Sequence, residues 1–279
     1  MILAELCQNH LGDKNRLSKM VDAVAQAGVW GAKIQTFFAK DLGQAWAHDR
    51  ERLLGLELDW ETHHEFVRQC ERLKIVPVTT VYSFDYAQEL WNAGFRHVKI
   101  GSAQATQEGL IKRYIVAGFQ VLLSTGGHFL DQIPKLHPLH TVFHCVSTYP
   151  LPDHEADLTR LFEVRKRYPG ARVGFSDHSS PGSIVSKMAI FLGAEVIERH
   201  FILDREVPTK DSSVSITAPE MKDLCRFATL TLKEQLKLFP SWGLMRCPKK
   251  ATEMETIGRY ANRFKLDGED RRPPDHAPH

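Results

Sequence analysis

The stretches Ala171–His178 (ARVGFSDH) and Glu195–Phe201 (EVIERHF) decide how this 279-residue chain is interpreted. Each is a short apolar run with β-branched residues, and each leads to an imidazole, at His178 and at His200. Two neighbouring parallel strands that end in His can hold one divalent cation between them. A lone His more often only hydrogen-bonds within a loop, but here the pattern repeats on consecutive strands. The sequence therefore predicts a metal site at adjacent strand ends.

The rest of the chain alternates between short apolar runs and segments of helical periodicity, as a (β/α)8 TIM barrel requires. The candidate strands are Ile2–Leu6, Gly31–Gln35, Val76–Thr80, His97–Gly101, Gln120–Ser124, Thr141–Cys145, Arg172–Phe175 and Glu195–Arg199. The candidate helices are Asn15–Ala27, Thr62–Leu73, Asp85–Ala93, Thr106–Ala117, a short one around Phe129–Leu136, Asp157–Tyr168, Pro181–Leu192 and Ala218–Leu238. The main alternative is an open doubly wound sheet, but no GxGxxG turn follows the first strand. We therefore expect an α/β fold with a closed barrel.

The barrel pattern fades near the C-terminus. We expect a TIM-barrel catalytic domain over residues 1–240 and a linker-like remnant over residues 241–279. The run Pro240-Ser241-Trp242-Gly243 should end the last helix. The segment Asp267–His279 is charged and Pro-rich with nothing to bury, so we expect a disordered tail.

Composition excludes several classes of protein. The formal net charge is +2, from 36 basic and 34 acidic residues, which gives no case for binding nucleic acid or an anionic membrane. The N-terminus is too short and too soon acidic for a signal peptide, and no apolar run approaches the length of a transmembrane helix. The five cysteines are scattered without CxxC spacing, which argues against a disulfide framework or a zinc cage. We expect a cytoplasmic protein.

Residues at the carboxyl ends of the strands should form the active site of such a barrel. Lys33 and Lys99 lie inside apolar strand sequences, where a lysine is unfavourable unless an anion meets it. Structural lysine–carboxylate bridges would satisfy them, and so would a phosphorylated, carboxylated substrate. Hydroxyl donors at the neighbouring strand ends favour the substrate. These donors are Thr80, Ser102, Ser124 and Ser176.

Seven motifs, in order from about Ile2 to Leu238, resemble the sialic acid synthase (nonulosonate synthase) family. They are Ala4–His10 (AELCQNH), Lys33–Phe37 (KIQTF), Lys99–Ser102 (KIGS), Leu123–Gly126 (LSTG), His144–Pro150 (HCVSTYP), Ser176–His178 (SDH) and Glu198–Phe201 (ERHF). The resemblance implies a transferase that condenses phosphoenolpyruvate with an amino-sugar aldehyde such as N-acetylmannosamine. The products would be phosphate and a 2-keto-3-deoxy acid of the nonulosonic type.

The resemblance also implies roles for individual residues. His178 and His200 would hold a divalent ion that polarises the aldehyde, typically Mn²⁺, with Mg²⁺ or Co²⁺ as alternatives. The residues expected to cradle phosphoenolpyruvate are Lys33, Thr80, Lys99, Ser102, Ser124, Ser147 and Ser176. The residues expected to face the sugar are Glu5, Gln35, Tyr149 and Asp211. The residues expected to act in catalysis are Glu5, Lys33, Lys99, Gln104, His178 and His200.

Three departures from the family pattern bear on function. Gln104 stands where the family usually has an acid, and an amide can only hydrogen-bond, so Glu5 would take over the acid–base work or the reaction would be slower. Ser147 stands where many relatives carry Asn. The chain also stops where a small antifreeze-like domain, which supplies an arginine to the sugar's N-acyl group, would begin. We expect a homodimer or a separate antifreeze-like domain protein as partner. A different aldehyde acceptor and a degenerate barrel that serves as a binding or regulatory subunit remain as alternatives.

Overall fold

Eight parallel strands close into a barrel in chain order in the computed structural model, which describes residues 1–41 and 50–242. The strands are β1 Ile2–Glu5, β2 Gly31–Thr36, β3 Val76–Val81, β4 His97–Ile100, β5 Gln120–Ser124, β6 Thr141–Cys145, β7 Arg172–Asp177 and β8 Val196–His200. The helices are α1 Lys14–Ala27, α2 Arg50–Leu54, α3 Trp60–Arg72, α4 Ala87–Ala93, α5 Glu108–Val116, α6 Arg160–Arg167, α7 Val185–Phe191, α8 Ala218–Thr229 and α9 Leu232–Trp242. The predicted TIM barrel is confirmed.

Helix α1 illustrates how the sequence builds one of the barrel's outer elements. Asp13 caps its N-terminus by accepting hydrogen bonds from the backbone N–H groups of Asn15 and Arg16. Its buried face includes Leu17, Met20, Val21 and Val24, at the three- and four-residue steps that one face of a helix requires. These side chains belong to the core between the strands and the outer helices.

The predicted single helix over Ala218–Leu238 is wrong, because the chain breaks it into α8 and α9. Thr231 begins the second helix as a capping box: its backbone N–H and its hydroxyl both donate to Glu234 Oε2, at 2.7 Å each. Helix α9 also continues through Pro240 to Trp242, beyond the predicted end. The barrel unit comprises Met1–Thr229, and α9 belongs to a second unit that begins at Leu230.

Smaller differences concern two connections. Helix α2 is absent from the sequence prediction, and the expected short helix around Phe129–Leu136 is only a 3-10 turn at Leu130–Gln132. The boundary proposed at residue 240 stays a prediction. The segment Asp267–His279, for which we expected disorder, lies outside the described residues.

The lower interior of the barrel is filled by one apolar layer. Its buried members are Leu3, Val78, Leu122, Phe143 and Val196. Gly174 is required here, because a Cβ on it would lie 2.5 Å from the Phe143 ring. Side chains alternate along a strand, so the next inward position lies two residues toward its carboxyl end. On most strands a polar residue occupies that position. The apolar layer therefore forms the floor of whatever site lies above it.

The described residues contain four of the five cysteines and no candidate membrane span. Cys7, Cys70, Cys145 and Cys225 are free thiols, and Cys247 lies outside the described ranges. None of the described helices has the length and apolar character needed to cross a bilayer. The cytoplasmic location stays a prediction.

Candidate active site

Every residue predicted for the site lines a single cavity of about 310 Å³. These residues are Glu5, Lys33, Gln35, Thr80, Lys99, Ser102, Gln104, Ser124, Ser147, Tyr149, Ser176, His178, His200 and Asp211. Most of them stand at or just beyond the carboxyl ends of the strands, where TIM-barrel enzymes carry their active sites. The structure thus brings the whole predicted set together, while the role of each residue stays a prediction.

Two lysines and two carboxylates form a buried network in this cavity. Lys33 Nζ is in contact with the Glu5 carboxylate and lies 3.8 Å from Glu198 Oε1. Lys99 Nζ lies 2.5 Å from the same Glu198 oxygen. The lysine–carboxylate bridges that the sequence left as an alternative are therefore present. They do not exclude a substrate, because all four side chains also line the cavity.

Hydroxyl groups surround the charged network. The Lys33 ammonium donates to Thr80 Oγ1 at 2.7 Å, and the Ser176 hydroxyl donates to Glu198 Oε1 at 3.2 Å. Lys99 Nζ lies 3.4 Å from Ser176 Oγ. Together these contacts hold both ammonium groups at fixed positions facing the cavity.

Gly126 allows a close approach of two further hydroxyls. Its backbone N–H donates to Ser102 Oγ at 3.0 Å. A Cβ at this position would lie 2.8 Å from Ser102 Oγ and still closer to Ser147 Oγ. Only glycine therefore fits between these two serines without displacing them.

Several residues that line the cavity carry a buried polar atom with no hydrogen-bond partner in the described part of the chain. These atoms are Gln104 Oε1, Ser124 Oγ, Glu198 Oε2 and His200 Nδ1. Leaving such a group unpaired costs about 1–3 kcal/mol, so native structures rarely gather several in one place. Their concentration here is typical of a site that completes its hydrogen bonds with a polar ligand.

The hydrogen bonds of His178 define its tautomer. Nδ1 lies 2.9 Å from the carbonyl oxygen of Val146, and a carbonyl can only accept, so Nδ1 carries the proton. In the neutral ring Nε2 then holds the lone pair, and it lies 2.7 Å from the Tyr149 hydroxyl, which can donate to it. A backbone carbonyl on one ring nitrogen is the usual support of a metal-binding imidazole. The ring centroids of His178 and His200 are 5.6 Å apart.

A second set of donors includes His200 but not His178. One ligand atom each from Cys7, His200 and Asp211 lies within 4.8 Å of the others, and all three side chains are buried. One sulfur, one nitrogen and one oxygen donor together suit a divalent transition-metal ion. The donor chemistry of the cavity therefore fits such an ion, and the specific pair of His178 and His200 stays a prediction.

Burial shifts the pKa values of the key groups. Burial lowers the pKa of Lys33 to about 7, against the attraction of Glu198. Burial, together with the nearby His178 and the two lysines, lowers the pKa of His200 well below its ordinary value. His200 is therefore a neutral imidazole at physiological pH, which is the form that binds metals. Burial and the neighbouring Asp211 raise the pKa of the Cys7 thiol.

The central residues of the two histidine motifs have a structural role. Asp177 and Arg199 form a buried ion pair. Arg199 also donates to the carbonyl oxygens of Ser179 and Ser180, at 2.6 and 2.9 Å. This cluster holds the backbone immediately after His178 and so fixes where that imidazole stands.

Several residues that line the cavity have no role predicted from the sequence, among them Cys7, Tyr82, Cys145, Glu198 and Lys210. Strand alternation was a signal for Glu198, because it stands two residues before His200 on β8 and shares its face. Cys7 and Lys210 lie on loops, where periodicity gives no direction for a side chain.

The chain is similar in sequence to proteins of known activity. The sequence profile of the NeuB family matches residues 20–235. The N,N'-diacetyllegionaminic acid synthase of Campylobacter jejuni is 30% identical over 249 residues, which cover 81% of this chain and 74% of that protein. The pseudaminic acid synthase of the same organism is 26% identical, over 79% of this chain and 70% of that protein.

A solved structure extends the similarity to the fold. The N-acetylneuraminic acid (sialic acid) synthetase of Leptospira borgpetersenii, in complex with citrate, aligns with a TM-score of 0.76 at 25% identity. The alignment covers 94% of this chain and 90% of that one. The family predicted from the sequence motifs is thereby confirmed: this chain belongs to the NeuB family.

Proposed function

We propose that this protein is a phosphoenolpyruvate-dependent synthase of sugar acids. It would join phosphoenolpyruvate to an aldose, an amino-sugar aldehyde such as N-acetylmannosamine or a relative, and release phosphate and a 2-keto-3-deoxy acid. The observation that carries the proposal is the pair of buried lysines, Lys33 and Lys99, in a cavity with several unpartnered polar atoms. A small ligand with two anionic groups, one phosphate and one carboxylate, matches that combination.

Phosphoenolpyruvate would occupy the part of the cavity bounded by the lysines and the serines. The ammonium groups of Lys33 and Lys99 would pair with its anionic oxygens. Ser124 Oγ has no partner among the described residues and would donate to the same ligand. The hydroxyls of Thr80, Ser102, Ser147 and Ser176 would complete the cradle.

The acceptor aldehyde would lie toward Glu5, Gln35, Tyr149 and Asp211. C3 of phosphoenolpyruvate attacks the aldehyde carbon, water adds at C2, and the C–O bond to phosphate then breaks. The aldehyde oxygen must take up one proton to become the new hydroxyl, and the water that adds at C2 must release one. Lys33 and Glu5 are in direct contact and form an acid–base pair, which can donate the proton to the new hydroxyl and accept the proton from the water.

Gln104 would contribute a hydrogen bond rather than a proton. Its Oε1 atom is buried without a partner, so it can accept from a substrate hydroxyl. We assign the acid–base work to Glu5 for this reason.

The cavity would also bind a divalent ion, through His178 and His200 as the family resemblance implies. The resemblance favours Mn²⁺, with Mg²⁺ and Co²⁺ as alternatives. When bound, such an ion supplies Lewis-acid polarisation of a carbonyl oxygen. His200 is already neutral, and the neutral form of His178 presents Nε2 as a lone pair, so each can offer one ring nitrogen to the ion.

The test is phosphate release. The full chain is incubated with phosphoenolpyruvate, Mn²⁺ or Co²⁺ and a panel of aldoses, with mass spectrometry of the products. We expect phosphate with at least one aldose, and a product mass equal to aldose plus phosphoenolpyruvate plus water minus phosphoric acid. Lys99→Met should abolish release, whereas Lys112→Met, which changes an exposed lysine on α5, should not. No phosphate with any aldose, with and without a separate antifreeze-like domain protein, would favour the degenerate binding barrel.

A further inference from the structure

The group formed by Cys7, His200 and Asp211 draws its members from three parts of the barrel mouth. Cys7 follows β1, His200 ends β8, and Asp211 lies in the connection between β8 and α8. Strands β1 and β8 are neighbours, and Glu5 is paired with His200 in their register. One donor atom from each side chain lies within 4.8 Å of the other two. The closure of the barrel therefore brings together residues that are distant in sequence.

The imidazole of His200 indicates that this group binds a ligand. The residue is only 6% exposed, yet its Nδ1 atom has no hydrogen-bond partner in the described chain. A buried ring nitrogen is normally paired with a protein group or with a bound ion. His200 is at once the unsatisfied residue and a member of the three-donor group.

The sulfur of Cys7 is held in place rather than merely packed. Gln35 Nε2 donates to Cys7 Sγ at 3.1 Å, and the Cys7 backbone N–H donates to Glu5 Oε1 at 2.6 Å. Hydrogen bonds to a ligand atom from the surrounding residues are the usual support of a metal site. Cys7 also lines the cavity that a ligand would enter.

We propose that Cys7 and Asp211 ligate, together with His200, the divalent ion of this cavity. The ion would then have one sulfur, one nitrogen and one oxygen donor from this group, with His178 nearby as a further nitrogen donor. Binding replaces the thiol proton of Cys7, which leaves to solvent, and the resulting thiolate and the Asp211 carboxylate balance the ion's two positive charges. The proposal depends on the proposed function in one respect only, because it assumes that this ion is the one that serves the reaction.

A thiolate ligand changes which ion the site prefers. Mg²⁺ and Mn²⁺ favour oxygen donors, whereas Co²⁺ and Zn²⁺ bind sulfur and imidazole more strongly. We therefore expect Co²⁺ and Zn²⁺ to bind this cavity more tightly than Mn²⁺, and Mg²⁺ to bind most weakly.

The test is an optical titration of the metal-stripped full-length protein with Co²⁺, in the absence of phosphoenolpyruvate and aldose. We expect one equivalent of Co²⁺ to produce a sulfur-to-cobalt charge-transfer band in the near ultraviolet. One equivalent of Zn²⁺ should abolish the band, whereas a large excess of Mg²⁺ should leave it. No substrate is present, so this measurement is independent of phosphate release. The band can be absent from a protein that releases phosphate, and it can be present in one that does not.

Cys7→Gly is the decisive variant. Cys7 has a backbone φ of 42°, a left-handed conformation that glycine adopts without strain, so this substitution should leave the fold intact. It should eliminate the band and weaken Co²⁺ binding at least about tenfold. Cys7→Ser provides a second variant with the same expectation, and Asp211→Asn should keep the band but weaken binding. Cys145→Ser is the matched control, because Cys145 lines the same cavity outside the group. A wild-type spectrum without the band, or a band that survives in Cys7→Gly, would overturn the proposal.

Discussion

Asp177 and Arg199, each one residue before a cavity-lining histidine, form a buried ion pair with 2.9 Å between Oδ1 and Nη1. The Asp177 carboxylate also accepts from the backbone N–H of Ser179 and from the Ser186 hydroxyl. The pair thus joins β7 and β8 to each other and to the start of the loop after His178. Successive side chains of a strand point to opposite faces. His178 and His200 therefore face the cavity, whereas Asp177 and Arg199 link the two strands from the other face.

Arg199→Met should destabilise the barrel strongly. Removal of the guanidinium leaves the buried Asp177 carboxylate without its counter-charge, which costs about 3–5 kcal/mol of the free energy of unfolding. Chemical denaturation of the purified variant measures this loss. The double variant Asp177→Asn with Arg199→Met should recover part of it, because no charge then stays buried. A single variant as stable as the wild type would contradict the structural role of the pair.

Binding of phosphoenolpyruvate should weaken as pH rises. Burial lowers the pKa of Lys33 to about 7, so its ammonium form, which attracts an anion, prevails below that pH and is lost above it. If one proton is linked to binding, the dissociation constant rises up to about tenfold for each pH unit above 7. Calorimetry between pH 6 and 9 would measure the change.

Lys33→Arg is the control for this pH dependence. Guanidinium stays charged throughout that range, so the slope attributed to Lys33 should disappear even if the absolute affinity falls. An unchanged slope in this variant would show that the pH dependence does not come from Lys33.

Gly126→Ala should impair substrate binding without unfolding the protein. The added methyl group would displace the hydroxyls of Ser102 and Ser147, so we expect the KM for phosphoenolpyruvate to rise about tenfold or more. Steady-state phosphate release measures KM, and thermal unfolding checks the fold. Gly109→Ala is the matched control, because a Cβ there meets nothing within 4 Å. Equal KM values in the two variants would argue against a substrate role for these serines.

Glu5→Gln should reduce kcat more than it changes KM. The amide keeps the shape of the side chain but cannot exchange a proton with Lys33, and loss of such a group typically costs about 10²–10⁴ in rate. Phosphate release under saturating substrates measures the effect. Glu108→Gln, which alters an exposed carboxylate on α5, should leave the rate unchanged. A Glu5→Gln variant with the wild-type rate would transfer the acid–base role to another residue.

The sequence predicted the barrel well because the short apolar runs of the strands and the periodicity of the helices are local properties of the chain. β5 and β6 begin and end where predicted, and β7 and β8 differ by one or two residues at their ends. The break between α8 and α9 was missed, although the Thr231 and Glu234 pair is a readable capping signal, because the apolar pattern continues across it.

The site was predicted less completely than the fold. Lys33 and Lys99 could be recognised because a charged residue stands out inside an apolar strand. Cys7 could not, because the direction of its side chain depends on a left-handed backbone angle and on closure of β1 against β8. Asp211 was expected only to face the sugar, since its proximity to His200 depends on the path of a long connection.

The charges of the buried network have a consequence for how the cavity fills. Glu5 and Glu198 cancel Lys33 and Lys99, so the four side chains together offer no surplus of positive charge to an arriving anion. A ligand with a phosphate and a carboxylate must therefore bring its own compensation, either as protons taken up by the carboxylates, and by Lys33 wherever it is neutral, or as a cation that enters with it. Ligand uptake in this barrel is thus an exchange of several charged species at once, and its heat should depend on the ionisation enthalpy of the buffer.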